Sequence, residues 1–361
     1  MAQADSGDSN GFEGGVAQAY ANQVAYCEAN GAPVTARVVA AIARQLGRPG
    51  AGPFIERIAA WQGQALADGL PLRSAAAVHG LHLSGTAPEL APIYAGRKAD
   101  DDVVIGALCR TRAARMLPWL DGPPQTNEAG RSSNFVAAML WLADRGLPPR
   151  FACREIGSSA GINLMIDRYR YDLGGVAVGP RDAAMAFTPE WRGPPPPSHP
   201  ITFESLRGCD VAPVDLTDPD QALRLKSYIW PEHHVRFERL EAAIAAAGCR
   251  RPDLAAMNAA DFVEAELAMP QEAGTTRVLM HSIVWQYVPA DEQERVTRAM
   301  EAAGAAATAD RALAWIAVEA DRSLLGHRLT VRYWPGGEAV VELAAAHAHG
   351  AWIEWRGTAA R

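Results

Sequence analysis

The residues best equipped for chemistry lie in one run, Arg154-Glu155-Ile156-Gly157-Ser158-Ser159-Ala160-Gly161-Ile162-Asn163-Leu164. It follows a stretch that reads as a strand and opens one that reads as a helix. Small residues there let the backbone come close to a ligand. The first N–H groups of a helix offer donors to an anion. Three chemistries compete for this run. A nicotinamide-dinucleotide site needs GxGxxG. Here Gly157 and Gly161 are spaced GxxxG, and Ser159 stands where the central glycine belongs. A nucleophile elbow needs GxSxG, which Gly157 to Gly161 supplies with Ser159 as nucleophile and His281, His347 or His349 as base. That fold also wants strands and a glycine-rich oxyanion loop upstream, where this chain reads as helical. An S-adenosylmethionine (SAM) site needs an acid two residues before the first glycine, and Glu155 is there. A carboxylate beside a ligand's ammonium and sulfonium groups is favourable. Glu155, Gly157, Ser158, Ser159, Gly161 and Asn163 are then the cofactor-facing candidates. The turn belongs to the first strand of its sheet, which favours this third reading. A tight turn without any ligand is the plain alternative.

Later segments supply the remaining candidates. An acid after the second strand would hold both ribose hydroxyls, and Asp210 in Arg207–Pro213 fits. It lies more than 50 residues beyond Gly157, against about 20 in the related dinucleotide fold. An insertion over Tyr169–Pro200 must intervene, and Asp172 and Glu190 within it compete with Asp210. After the third strand, Asp261 could accept from the adenine amino group while Phe262 covers the ring. Asp261 is also a plausible helix N-cap. After the fourth, His281, Trp285 and Tyr287 could be a base, a cation–π wall and a hydrogen-bonding group. A histidine at a strand end is also commonly structural. In Thr126–Arg131, Arg131 could close on a ligand's carboxylate; equally, Thr126 could be an N-cap and Arg131 a surface residue. His347 and His349 would face one side if extended. With no third ligand in view, no metal site is expected there.

These residues need elements to hold them. Residues 1–12 read as a loose tail and 13–148 as helical. Val34–Leu46 carries Val38, Val39, Ile42 and Leu46 at helical spacing, Pro53 suits a first helical position, and Asp100 to Asp102 suit the start of a helix over Val103–Leu120. Phe135–Arg145 is a further helix, stopped by Gly146 and Pro148. From 149 the pattern changes. Strands are expected at Arg150–Ile156, Gly208–Val211, Leu254–Met257, Arg277–Val284, Leu313–Val318, Leu329–Tyr333, Val340–Leu343 and Ala351–Trp355. Helices are expected at Glu232–Ala247 and Ala290–Ala303. Alternating strands and helices predict an α/β domain with a mostly parallel sheet, finished by antiparallel strands. Pro194–Pro197 reads as a stiff, exposed loop.

Composition narrows the classes. The chain has 361 residues, of which 49% are hydrophobic and 21% charged, as expected of a globular protein. Its net charge of −7 argues against nucleic-acid binding, which rests on neutralising phosphates. The five cysteines form no CxxC pair, which fits reduced thiols in a cytosol. No signal peptide and no run of about 18 apolar residues is read, so a cytoplasmic protein away from membranes is expected.

Taken in order, the motifs resemble one family, the bacterial domain-of-unknown-function 2332 proteins. The matching stretches are Gln125–Arg131, Glu155–Leu164, Asp167–Asp172, Asp210–Pro219 with Trp230-Pro231, His281–Pro289 and Ala346–Trp355. The chain departs from it at Ala348, where the family usually has proline, and at Ala129, where it often has valine. The resemblance implies a SAM-methyltransferase-like Rossmann fold with a helical N-terminal region, here 13–148 followed by 149–361. The expected activity is methyl transfer from SAM to a small or medium-sized acceptor between the two parts. A silent ligand-binding protein and a Ser159 hydrolase are the competing classes.

Overall fold

A computed structural model describes residues 15–125, 127–321 and 326–358, so the expected tail and Thr126 lie outside it. The chain forms two compact units. One takes residues 15–125 together with Pro219–Phe237; the other takes Asn127–Asp218 and Glu238 onward.

The first unit is all-helical among its described residues. Its principal helices are Val16–Ala29, Pro33–Ala43, Pro53–Ala59, Leu70–Leu83 and Asp101–Thr111, joined by the later helix Pro219–Ser227. Val38, Val39 and Ile42 pack with Phe54, Ile58 and Val78 in one buried cluster. Pro53 begins its helix as expected, and Asp100 caps Asp101–Thr111 by accepting from Val103 N. The helix expected over Val103–Leu120 is broken into Asp101–Thr111, Ala113–Met116 and a 3-10 turn, Leu117–Leu120. Pro118, lacking an N–H, favours the tighter final turn.

The return of Pro219–Phe237 has a physical cause. Glu232 Oε1 accepts from Val34 N at 2.6 Å and Thr35 N at 3.1 Å, and its Oε2 accepts from the Thr35 hydroxyl. This carboxylate, remote in sequence, caps the start of Pro33–Ala43, where the helix dipole favours a negative charge. Ser227 is tied in too: its hydroxyl accepts from Trp119 Nε1, and its carbonyl lies 3.1 Å from His79 Nδ1. The division therefore does not follow the 148/149 boundary expected from the sequence. Helix Ser132–Asp144, buried on nearly every side, belongs with the sheet.

Twelve strands follow among the described residues of the second unit: β1 (Arg150–Ile156), β2 (Tyr169–Leu173), β3 (Val176–Val178), β4 (Met185–Phe187), β5 (Glu190–Arg192), β6 (Thr202–Asp210), β7 (Asp253–Ala256), β8 (Thr275–Ser282), β9 (Arg311–Asp321), β10 (Gly326–Trp334), β11 (Gly337–Ala346) and β12 (Trp352–Trp355). Nine form a sheet in the order β5-β12-β11-β10-β9-β8-β1-β6-β7, and β3-β2-β4 form a small second sheet. From β7 to β9 the neighbours are parallel; β10, β11 and β12 continue as an antiparallel meander. The fold is thus mixed α/β with a large, mostly parallel sheet at its centre. β8 is buried at every residue, as a central parallel strand should be. Ile156, Phe262, Leu279, Val296, Met300 and Trp334 form a core with helices Ala259–Ala268 and Ala290–Ala305.

The Tyr169–Pro200 insertion builds the small sheet and supplies β5, which pairs with β12. Asp172 lies near the end of β2 and accepts from Gly175 N in the turn that follows, while Glu190 pairs with Arg192 on an exposed edge strand. Neither acid is at the carboxyl edge of the central strands, where Asp210 ends β6.

Candidate functional site

Strand order reverses at β1. From β1 the chain moves outward to β6 and β7, then returns to the other side of β1 for β8 and β9. In open parallel sheets such a switch point opens a crevice beyond the carboxyl ends of the strands. Here the turn after β1 meets the loop after β8. A Cβ built on Gly157 would sit 2.2 Å from Val284 Cγ2, so only glycine allows that approach. Gly157 also has φ +65°, and Gly161 has φ +69° with Pro252 closing on it.

Backbone strain gathers at the same edge. Ser159 (φ 52°) and Ile283 (φ 54°) are the two non-glycine residues with positive φ among those described. Such conformations cost about 1–3 kcal/mol each and persist where surrounding structure holds them.

The side chains around the turn form a bonded cradle. Asn127 staples it at both ends, donating to Ser158 O at 2.9 Å and accepting from Ile162 N at 3.1 Å. Asp210 Oδ2 accepts from Ser159 N at 2.8 Å and its Oδ1 from Ala212 N. Asn163 donates to Glu155 Oε1 at 2.8 Å. At this turn three buried polar atoms have no hydrogen-bond partner among the described residues: Glu155 Oε2, Ser159 Oγ and Asn163 Oδ1. Buried polar groups are rarely left so. Glu155 is only 2% exposed. Burial pushes its carboxyl up to about 7, against the pull of the Asn163 and Ser158 hydrogen bonds and the Arg131 charge. Arg131 is itself buried and donates to Ala348 O.

Several expectations need correction. The segment after the turn is not a long α-helix but a seven-residue 3-10 stretch, Ile162–Arg168, kinked at Met165. Its Ile162 N–H, like those of Ser158, Ser159 and Gly161, is taken within the protein, so these four are not the free donors expected for an anion. Asp261 is not the cap of its helix. Asn258 is, and Arg295 and Asn258 occupy the two Asp261 carboxylate oxygens, holding that carboxyl below the usual range. Phe262 points into the core instead of covering a ring. Tyr287 is 59% exposed.

Both ring nitrogens of His281 are engaged within the protein. Trp315 Nε1–H can only donate, and it does so to His281 Nε2 at 2.9 Å. The ring proton must then sit on Nδ1, which donates to Glu319 Oε1 at 2.6 Å. Trp285 stacks on the same imidazole, 5.1 Å between centroids. Sequence reasoning missed Trp315 and Glu319. A polar residue ending the apolar run Ala312–Val318 was the available signal, but its partner lies 38 residues away. No histidine is bonded to Ser159 Oγ. Burial pushes the Cys153 and Cys209 thiols up to about 12, so neither is primed as a nucleophile. His349 N donates to His347 Nδ1. Among the described residues no cluster of three His, Cys, Asp or Glu could hold a metal, and no helix is long and apolar enough to cross a membrane.

The chain belongs to the domain-of-unknown-function 2332 family, uncharacterized proteins conserved in bacteria, whose profile matches residues 17–355. No curated protein and no solved structure matches it significantly.

Proposed function

We propose that this member of the family binds SAM at the turn after β1 and transfers its methyl group to a small or medium-sized acceptor. The observation that carries the reading is the unpartnered Oε2 of buried Glu155 at the switch point of the sheet. A carboxyl held near 7 by burial ionises readily once a cation arrives, because the opposite charge offsets its desolvation. A cofactor with an ammonium and a sulfonium is such a cation. Ser159 Oγ and Asn163 Oδ1 add two unsatisfied acceptors beside it. Asp210 keeps spare acceptor capacity on both oxygens, which suits a pair of hydroxyls. The chemistry supplied by the cofactor is an activated methyl group. The residues of the turn position it and exclude water.

The serine-hydrolase reading has less to stand on, since Ser159 Oγ has no base bonded to it. Its positive φ is its one support. The test is calorimetric titration with SAM and its demethylated product, with NAD as control. Wild type is expected to bind the first two, and Glu155→Gln to lose them while keeping its fold. Absence of binding by folded wild type overturns the proposal. Turnover of p-nitrophenyl esters that vanishes in Ser159→Ala would replace it with the hydrolase. Affinity without turnover on any acceptor would leave a ligand-binding protein.

A further inference from the structure

A second region of the same unit has the features of a ligand site, and it is not the turn. A cavity of about 600 Å³ opens over strands β9 and β10, a size that suits small molecules. Its walls include Trp285 and Trp315, set 5.5 Å apart at 67° to form an aromatic corner. Glu319 stands in the lining beside them. Three donors converge on Glu319 Oε1: His281 Nδ1 at 2.6 Å, Val284 N at 3.2 Å and Trp285 N at 3.3 Å. Its side chain is 22% exposed, and no hydrogen bond to Oε2 is found among the described residues. One oxygen is therefore fixed, and the other is presented to the cavity.

The arginines of the lining do not neutralise it. Arg328 lies opposite Glu319 across the β9–β10 ladder, yet its guanidinium pairs with Asp321 and Glu342. Arg332 pairs with Glu301 and stacks on Trp334. The lining holds two acids and two arginines, and both guanidiniums are engaged by Asp321, Glu342 and Glu301, so neither pairs with Glu319.

We propose that this cavity binds a small organic cation: a protonated amine carried on an apolar, planar body. The ammonium would donate to Glu319 Oε2 and lie against the indole faces, which attract cations through their quadrupoles. The body would fill the corner between Trp285 and Trp315. The inference stands apart from SAM binding, because it needs no cofactor.

The test uses the full chain and three probes of one shape: 2-phenylethylamine, 2-phenylethanol and phenylacetate. Binding is followed by tryptophan fluorescence and calorimetry. The amine is expected to saturate and to bind about tenfold more tightly than the alcohol, with phenylacetate weakest. Glu319→Gln should level the amine with the alcohol, and Trp285→Leu should weaken both. Because Glu319 also positions His281, melting curves accompany each variant, and the wild-type series decides alone if a variant unfolds. Phenylacetate binding as tightly as the amine, or no binding of any probe by folded wild type, overturns the inference.

Discussion

Glu155 couples the cradle to pH. In the folded chain its carboxyl titrates near 7, against 4.5 when unperturbed. Between those values the folded state holds the proton and the unfolded state does not. Stability therefore falls as pH rises through that window, and the whole penalty is present above it. At about 1.4 kcal/mol per pKa unit, the penalty is about 3 kcal/mol. Glu155→Gln removes the ionisation while leaving a carbonyl for Asn163. It should melt above wild type at pH 8, and the two should converge at pH 4. Thermal unfolding across that range checks this, and a difference that does not change with pH would contradict it. Much of the cradle was legible because its residue types are adjacent in the chain: acid, glycine, serine, glycine. The fates of His281 and Asp261 were not legible. Each depends on a residue over 30 positions away, Glu319 and Trp315 for one and Arg295, together with nearby Asn258, for the other.

At the scale of elements, the contact of the β1 turn with the β8 loop is a steric one. Gly157→Ala places a Cβ where Val284 already stands and forces a side chain into positive φ. A loss of about 2–4 kcal/mol is expected from strain and overpacking together. Adding Val284→Ala should recover part of it, the steric share and not the backbone share. Urea unfolding of the single and double variants measures both, and equal loss in the two would contradict the contact. The main strands were readable where apolar runs are continuous: β1 emerges with its observed ends, Arg150 and Ile156. β6 was read only from Gly208, because Thr202–Arg207 mixes polar and apolar residues without a clean period, and it begins partly exposed. The three-residue strands β3, β4 and β5 are too short to show a period at all. Their place is set by pairing partners instead.

At the scale of the molecule, the helical unit is discontinuous in sequence. Pro219–Phe237 supplies the Glu232 cap and the Ser227 contacts, and Trp230 packs with Cys27, Ala32 and Ala36. A fragment of residues 1–125 should therefore lack a cooperative thermal transition. The same fragment joined by a flexible linker to 219–237 should regain one. Circular dichroism on both tests this, and a cooperative melt of the shorter fragment alone would contradict it. Loop insertions of this length are tolerated because closure entropy rises only slowly with loop length.

This threading also sets a clock on the ribosome. Synthesis runs at about 5–20 residues per second. Some 90 residues separate the end of the first stretch from Pro219, so the helical unit waits roughly five to twenty seconds for its last piece. Throughout that wait the amides of Val34 and Thr35 lack their acceptor, and the apolar seat of Trp230 lies open. The nascent chain is then most exposed to holdase chaperones and to proteases, well before the sheet is complete.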